Sequence, residues 1–208
     1  MGHTELHTNQ TYSFMALRKA VGWIGILIPF TMMLGMFLIF DGKTIQQSIS
    51  HYYHTGMRDI LVGAICAIAL FMFFYRGYDK WDDWTGNMTG LFALGVAWFP
   101  TSETVPNNWV GSVHFFCAAL FFLTLAGVSL FLFTKKSRNP TSRKLTRNII
   151  YIICGVVIIL CLIAIQIYFH FISNNKEEST FVFWAETVAL IAFGLSWLTK
   201  GGTLYPDV

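Results

Sequence analysis

Two histidines, an arginine and a carboxylate lie close together in the polar segment SISHYYHTGMRD, at positions 48–59. Only 12% of the chain is charged, and apolar runs long enough to cross a bilayer flank this segment. Ionisable groups within a membrane are costly and often mark function. The histidines could act as acid and base or ligate a metal, and Arg58 could bind an anion. The segment is therefore the first candidate for a functional site.

The composition predicts a polytopic membrane protein. Hydrophobic residues make up 55% of the 208 residues, and the mean hydropathy is +0.56. Such values are typical of chains whose helices cross a bilayer. We expect an all-α membrane protein in which residues 1–208 form a single transmembrane domain. The apolar runs predict six spans at 20–40, 60–75, 84–99, 113–133, 149–171 and 181–198.

The basic residues predict the orientation of these spans. If both termini are cytoplasmic, all Lys and Arg except Lys43, Arg58 and Lys176 lie on the cytoplasmic side. Positive residues favour that side in membrane proteins. We therefore predict a six-transmembrane-helix bundle in the inner (plasma) membrane of a bacterium, with residues 48–59 on the extracytoplasmic side.

That orientation brings two further ionisable residues to the same side. His114 would lie in the first turn of the fourth span, and Glu186 would lie about 7 to 8 Å below the surface in the sixth. A carboxylate within a span costs about 2.5 to 3.5 kcal/mol unless it has a partner. We expect Arg58 or His114 to be that partner. The result would be an outward-facing polar pocket between the first loop and helices two, four and six.

The predicted site has two groups of residues. Acid, base or orienting roles are assigned to the ionisable side chains His54, Asp59, His114 and Glu186. Ligand binding is assigned to the neighbouring side chains Ser50, His51, Tyr53 and Arg58.

Three functions fit these residues, and the sequence leaves them open. Arg58 could hold a lipid headgroup while a histidine recognises or modifies the lipid. Alternatively, His51, His54 and His114 could ligate zinc in an intramembrane hydrolase. A third reading is a small transporter in which Glu186 and the histidines carry protons or ions. The alternative to all three is that these residues form an ionic pair that only holds helices together.

Cofactor and partners are only partly constrained. Zinc is the candidate cofactor, membrane lipids are the expected partners, and a homo-oligomer is left open. No nucleic-acid partner is expected, because orientation and lipid headgroups explain the basic loop. The chain has no P-loop, G-x-S-x-G or H-E-x-x-H motif. Whether it is an enzyme therefore also stays open.

Two family resemblances bear on this choice. The outer loop with Ser48-Ile49-Ser50, followed by Arg58-Asp59 at the start of the second helix, resembles the DRAM-like six-helix membrane proteins. The closing segments FWAE and FGLSWLTKG resemble uncharacterised bacterial members of that group. The resemblance spans nearly the whole chain. Because the group includes lipid-remodelling factors for GPI anchors, it implies a six-helix bundle and membrane-lipid biology.

The second resemblance is partial. Ser50 and His54 could match the early Ser and His of the superfamily of alkaline ceramidases and progestin-type receptors. That superfamily has seven spans and a pair of histidines in its last helix. The last span here carries Glu186 and no histidine, so the family's zinc site does not carry over.

Overall fold

The described part of the chain folds into six α-helices. The computed structural model describes residues 3–40, 42–77, 79–101, 109–135, 141–172 and 179–206, with side chains from residue 14 onward. Lys176 lies outside the described residues. No β-strand occurs within those ranges, and the all-α fold class is confirmed. The helices are α1 (His3–Leu38), α2 (Arg58–Phe74), α3 (Lys80–Trp98), α4 (Trp109–Gly127), α5 (Ser142–Ile167) and α6 (Phe181–Lys200).

Local hydrogen bonds set several helix ends. The Asp79 carboxylate accepts from the N–H groups of Trp81 and Asp82, at 3.0 and 3.1 Å, so α3 begins four residues before the predicted span. The Thr141 hydroxyl caps α5 in the same way. Both α4 and α5 continue as a single π-helical turn, at Val128–Leu132 and Tyr168–Ile172. Turns of this kind are rare and often occur at functional sites.

The helices form a ring in chain order. Each helix packs against the next one in the sequence, and α6 returns to pack against α1. Gly22 faces Leu198, whereas Gly25, farther along α1, faces Leu190. The numbering therefore runs in opposite directions along α1 and α6, and these two helices are antiparallel. The α3 and α4 helices are antiparallel too, because Gly95 faces Cys117 while Phe99 bonds to His114.

Four helical segments are long and apolar enough to cross a membrane. They are Phe14–Leu38, Trp109–Leu132, Ser142–Phe171 and Phe181–Lys200. These segments indicate membrane association. The α2 helix has only 17 residues, and the first turn of α3 carries Asp82 and Asp83. The count of six membrane spans therefore stays a prediction for α2 and α3.

The two ends of the ring differ in character. One end contains the loop before α2, the end of α3, the beginning of α4, the π-helical turn after α5 and the beginning of α6; we call it the loop end. At the opposite end, Lys135 beyond α4 pairs with Asp79 at 2.7 Å and with the buried Asp82. Rings of Tyr75, Phe133 and Trp197 pack edge to face beside it, each contact having centroids 5.3 Å apart. The opposite end is thus a packed core, and the candidate site lies at the loop end.

Candidate functional site

A short 3-10 helical turn, Ser50–His54, presents the first candidate residues. Its centre is Tyr52, which is completely buried and donates its hydroxyl proton to the carbonyl of Thr44. The rings of Tyr52 and Phe183 pack with centroids 6.0 Å apart. Burial raises the pKa of Tyr52, so the phenol stays protonated at neutral pH. The turn is therefore anchored from beneath by an aromatic side chain.

Two hydrogen bonds join the loop before this turn to α6. The N–H of Phe183 donates to the carbonyl of Gln47 at 3.0 Å. The N–H of Ile49 donates to Oε2 of Glu186 at 2.7 Å. The expectation that Arg58 or His114 would be the partner of Glu186 is wrong, because the folded-back loop supplies a backbone donor instead. Glu186 thus positions the loop as well as facing the site.

His114 lies between a hydroxyl and a carbonyl. Its Nδ1 is 2.6 Å from the carbonyl oxygen of Phe99, and its Nε2 is 2.9 Å from Oγ of Ser50. A carbonyl can only accept, so Nδ1 carries the proton and donates it to Phe99. In the neutral ring, Nε2 then accepts the hydrogen bond from the Ser50 hydroxyl. The His114 side chain is buried, and the contacts fix both its tautomer and its orientation.

The two histidines of the loop, His51 and His54, contact different segments. His51 Nδ1 shares a 2.7 Å hydrogen bond with Ser48 Oγ, within the same turn. His54 Nε2 donates to the carbonyl of Thr101 at 2.7 Å. In the described part of the chain, no three His, Cys, Asp or Glu side chains converge to hold a metal ion. The structure therefore does not bring the predicted zinc ligands His51, His54 and His114 together as a three-residue cluster.

A cavity of about 620 Å³ lies against this turn. Its polar lining comes from the loop and the helix ends, and its apolar lining comes mainly from deeper turns of α4 and α5. The polar residues are Gln47, Ser48, Ser50, His51, Thr101, His114, Gln166, Ser179 and Glu186. The remaining residues are Phe115, Ala118, Ala119, Phe122, Leu162, Ile165, Tyr168, Phe169 and Val182. The cavity is therefore polar at the loop end and apolar toward the middle of the helices.

Half of the predicted site residues border this cavity. Ser50, His51, His114 and Glu186 line it, whereas Tyr53, His54, Arg58 and Asp59 do not. The side chains of Arg58 and Asp59 are 58% and 92% exposed and pair with each other at 3.4 Å. The Arg58 guanidinium also lies 5.5 Å from the centroid of the Tyr53 ring. Arg58 and Asp59, with the Tyr53 ring beside them, therefore form a separate group at the start of α2.

Sequence reasoning missed several groups that shape the site. Gln166 places an amide at the end of the long apolar stretch of α5, and this signal was available in the sequence. The sequence did not indicate three other groups of the site, which are the carbonyl of Phe99, the carbonyl of Thr101 and the N–H of Ile49. They are backbone groups, which every such residue carries, and only the fold selects them.

Comparison with known proteins adds a family. Residues 28–201 match the model of a family of unknown function. The chain belongs to the DUF7103 family. The matched range contains all the residues that line the cavity of this DUF7103 protein. No curated protein and no solved structure matches the chain. The resemblance to the DRAM-like proteins stays a prediction.

Proposed function

We propose that this DUF7103 protein binds a membrane lipid in the cavity between α4, α5 and α6. The observation that carries the proposal is the polarity of the cavity wall. Ser50, His114 and Glu186 lie at the loop end, while Phe122 and Leu162 line the deeper, apolar part. A lipid has a matching arrangement, because its polar headgroup is followed by apolar hydrocarbon chains. The volume of about 620 Å³ falls within the range of about 300 to 1,000 Å³ usual for ligand sites.

The cavity has a lipid-accessible side. Phe115 of α4 and Phe169 of the π-helical turn line it, and they are 51% and 41% exposed. Their rings meet edge to face with centroids 5.9 Å apart. In the segment Ser142–Phe171, only 22% of the most apolar stretch is buried within the protein. The corresponding value for the α6 segment is 61%. A lipid chain that entered from the surrounding bilayer would pass between these two rings, which would have to separate.

The polar lining favours an uncharged or cationic lipid group. No lysine or arginine occurs among the described residues that line the cavity. The earlier idea that Arg58 holds a phosphate lacks support, since Arg58 lies outside the cavity and pairs with Asp59. Hydroxyl, imidazole, amide and carboxylate groups instead suit the ester, hydroxyl or amine groups of a lipid. Phosphatidylethanolamine carries an ammonium group and two acyl esters of these kinds, while its anionic phosphate would have to stay solvated at the loop end. It is the lipid we propose to test first.

The proposal includes a membrane arrangement. All six helices would cross the inner membrane of a bacterium, with the loop end outside. The positive charge at the opposite end supports this orientation, because basic residues favour the cytoplasmic side. Short spans such as α2 can be accommodated by local thinning of the bilayer or by flanking polar residues.

Two matched substitutions on α6 test lipid binding. Val182 lines the cavity and is 7% exposed, whereas Val188 lies on the outer surface and is 46% exposed. The protein would be purified in mild detergent, and its bound lipid measured by native mass spectrometry and by extraction. We expect retained phosphatidylethanolamine in the wild type and in Val188→Phe, and loss in Val182→Phe. Equal lipid content in a folded Val182→Phe variant, or no bound lipid in the wild type, would overturn the proposal.

A further inference from the structure

We propose that Ser50 and His114 are the nucleophile and general base of an acyl-transfer site that acts on an ester of the bound lipid. This inference rests on the proposed lipid-binding function. Its basis is geometric: Ser50 Oγ and His114 Nε2 are 2.9 Å apart, and both residues line the cavity. A hydroxyl within hydrogen-bond reach of an oriented base is the arrangement that activates serine for nucleophilic attack.

The orienting group is the backbone carbonyl of Phe99. In catalytic triads a carboxylate accepts the proton of Nδ1 and holds the ring so that Nε2 faces the serine. Here the Phe99 carbonyl takes that position, with Nδ1 at 2.6 Å from its oxygen. It fixes the same tautomer, although it lacks the charge of a carboxylate. Phe99 therefore positions the base, while Ser50 and His114 would carry the chemistry.

The neighbouring Ser48 and His51 form a different arrangement. They are three residues apart, and their hydrogen bond closes within one turn. The backbone N–H of His51 also donates to Ser48 Oγ, at 3.2 Å. Such local bonds are usual for serine in turns and need no catalytic explanation. By contrast, Ser50 and His114 are 64 residues apart, and tertiary structure alone brings them together. We therefore do not propose Ser48 as a second nucleophile.

The position of Ser50 suits the ester of a glycerolipid. Ester carbonyls lie between the headgroup and the hydrocarbon chains, and Ser50 lines the cavity beside His114, the α4 residue one turn above Ala118. Ala118 and Phe122, one and two turns below His114 on α4, leave an apolar path for the acyl chain. Gln166 lines the same cavity and carries amide N–H groups, which are donors of the type that stabilise a developing oxyanion.

The reaction would proceed in two balanced steps. Ser50 Oγ attacks the ester carbonyl carbon while its proton passes to His114 Nε2. The tetrahedral intermediate then breaks its bond to the lipid alcohol, which takes the proton from His114 and leaves an acyl-Ser50 ester. Water, or the hydroxyl of a second lipid, next loses a proton to His114 and attacks the acyl carbon. The serine is released with its proton restored, and the product is a fatty acid or a new ester.

Covalent labelling tests the proposed nucleophile. An alkyl fluorophosphonate would be added to the full-length protein in nanodiscs of phosphatidylethanolamine and phosphatidylglycerol, and peptide mass spectrometry would locate the adduct. We expect one adduct, on Ser50, that is absent in Ser50→Ala and unchanged in Ser112→Ala, since Ser112 is an exposed serine of α4 that does not line the cavity. His114→Asn can still donate a hydrogen bond to Phe99 but lacks the base. It should label about 100-fold or more slowly, since general bases contribute about 10² to 10⁴.

Two results would overturn the inference. One is the absence of a Ser50 adduct in folded wild-type protein, and the other is labelling of folded His114→Asn at the wild-type rate. Lipid content measured in the same preparations separates this test from that of lipid binding. Retained lipid without a Ser50 adduct rejects the nucleophile alone, whereas a wild type without bound lipid rejects the proposed function as well. If His114→Asn does not fold, labelling of Ser50 in the wild type and in Ser112→Ala decides.

Discussion

At the scale of single residues, the site depends on hydrogen bonds between backbone groups and ionisable side chains. The Ile49 N–H holds Glu186, the Phe99 carbonyl orients His114 and the Thr101 carbonyl accepts from His54. Helix direction and charge alternation sufficed to predict that His114 and Glu186 face the same loop. The actual partners could not be predicted, because the sequence does not show which backbone groups remain without a helical partner.

Glu186 offers a direct test of this arrangement. In Glu186→Gln the amide oxygen can still accept from Ile49, so we expect little change in the free energy of unfolding. In Glu186→Ala the N–H of Ile49 loses its acceptor, which should cost about 1 to 3 kcal/mol. Thermal unfolding in detergent, followed by circular dichroism, would compare the two variants. Equal stability of the two variants would show that this hydrogen bond does not hold the loop.

At the scale of elements, the ring is closed by close contact between α1 and α6. A Cβ atom at Gly194 would lie 2.5 Å from the carbonyl oxygen of Gly22 and 2.4 Å from Cγ1 of Ile26. Small residues permit such approach between membrane helices. Gly194 is visible in the sequence as a small residue of the last span. Its partner helix could not be predicted, because small residues also occur in α2, α3 and α5.

A matched pair of glycine substitutions tests the contact between α1 and α6. Gly194→Ala should push the helices apart and destabilise the protein by about 1 to 3 kcal/mol, the usual cost of overpacking. Gly63 of α2 has no atom within 4 Å of the corresponding Cβ position. Gly63→Ala should therefore be neutral or stabilising by up to about 1 kcal/mol, because alanine favours helix. A Gly194→Ala variant as stable as Gly63→Ala would contradict the close packing.

At the scale of the whole molecule, the two ends have different physical roles. The loop end contains the cavity, while the opposite end is fastened by Lys135, which joins the end of α4 to the beginning of α3. The Asp82 side chain of this cluster is completely buried. The all-α class was predictable from hydropathy, but this ionic link between distant segments was not, since many pairings of the loop charges were equally compatible with the sequence.

Removing Lys135 should destabilise the opposite end without affecting lipid binding. Lys135→Met leaves the buried Asp82 without this cation, and breaking a buried pair typically costs about 3 to 5 kcal/mol. Partial exposure of Lys135 reduces that cost, so we expect a value toward or below the lower limit. Lys144→Met is the comparison variant, because Lys144 donates to the Phe133 carbonyl at 3.0 Å. Greater destabilisation by Lys144→Met would contradict the role assigned to Lys135.

The same cluster predicts a dependence of stability on pH. The hydrogen bond from Lys135 lowers the pKa of Asp79 below its ordinary value of 3.8. Burial acts to lower the pKa of Lys135, but bonds to Asp79 and Asp82 outweigh it and raise the pKa above 10.5. The Asp79 contribution is thus present above pH 3.8 and disappears as pH falls through the lowered value. The Lys135 contribution is present below pH 10.5 and disappears as pH rises through the raised value.

Thermal unfolding measured across pH would reveal this dependence. We expect the melting temperature of the wild type to fall at both extremes, and the difference between wild type and Lys135→Met to shrink there. A difference that stays constant from pH 3 to pH 11 would show that the cluster does not contribute through its charges.

Photoaffinity labelling tests most directly whether a lipid occupies the cavity. The probe is phosphatidylethanolamine with a diazirine on an acyl chain, incorporated into nanodiscs with the wild type or with Val182→Phe, and crosslinked peptides are identified by mass spectrometry. We predict saturable labelling of residues 115–122 and 162–169, suppressed by excess unlabelled phosphatidylethanolamine and by Val182→Phe. Non-saturable labelling confined to outward-facing residues, and unchanged in Val182→Phe, would contradict a lipid site in the cavity.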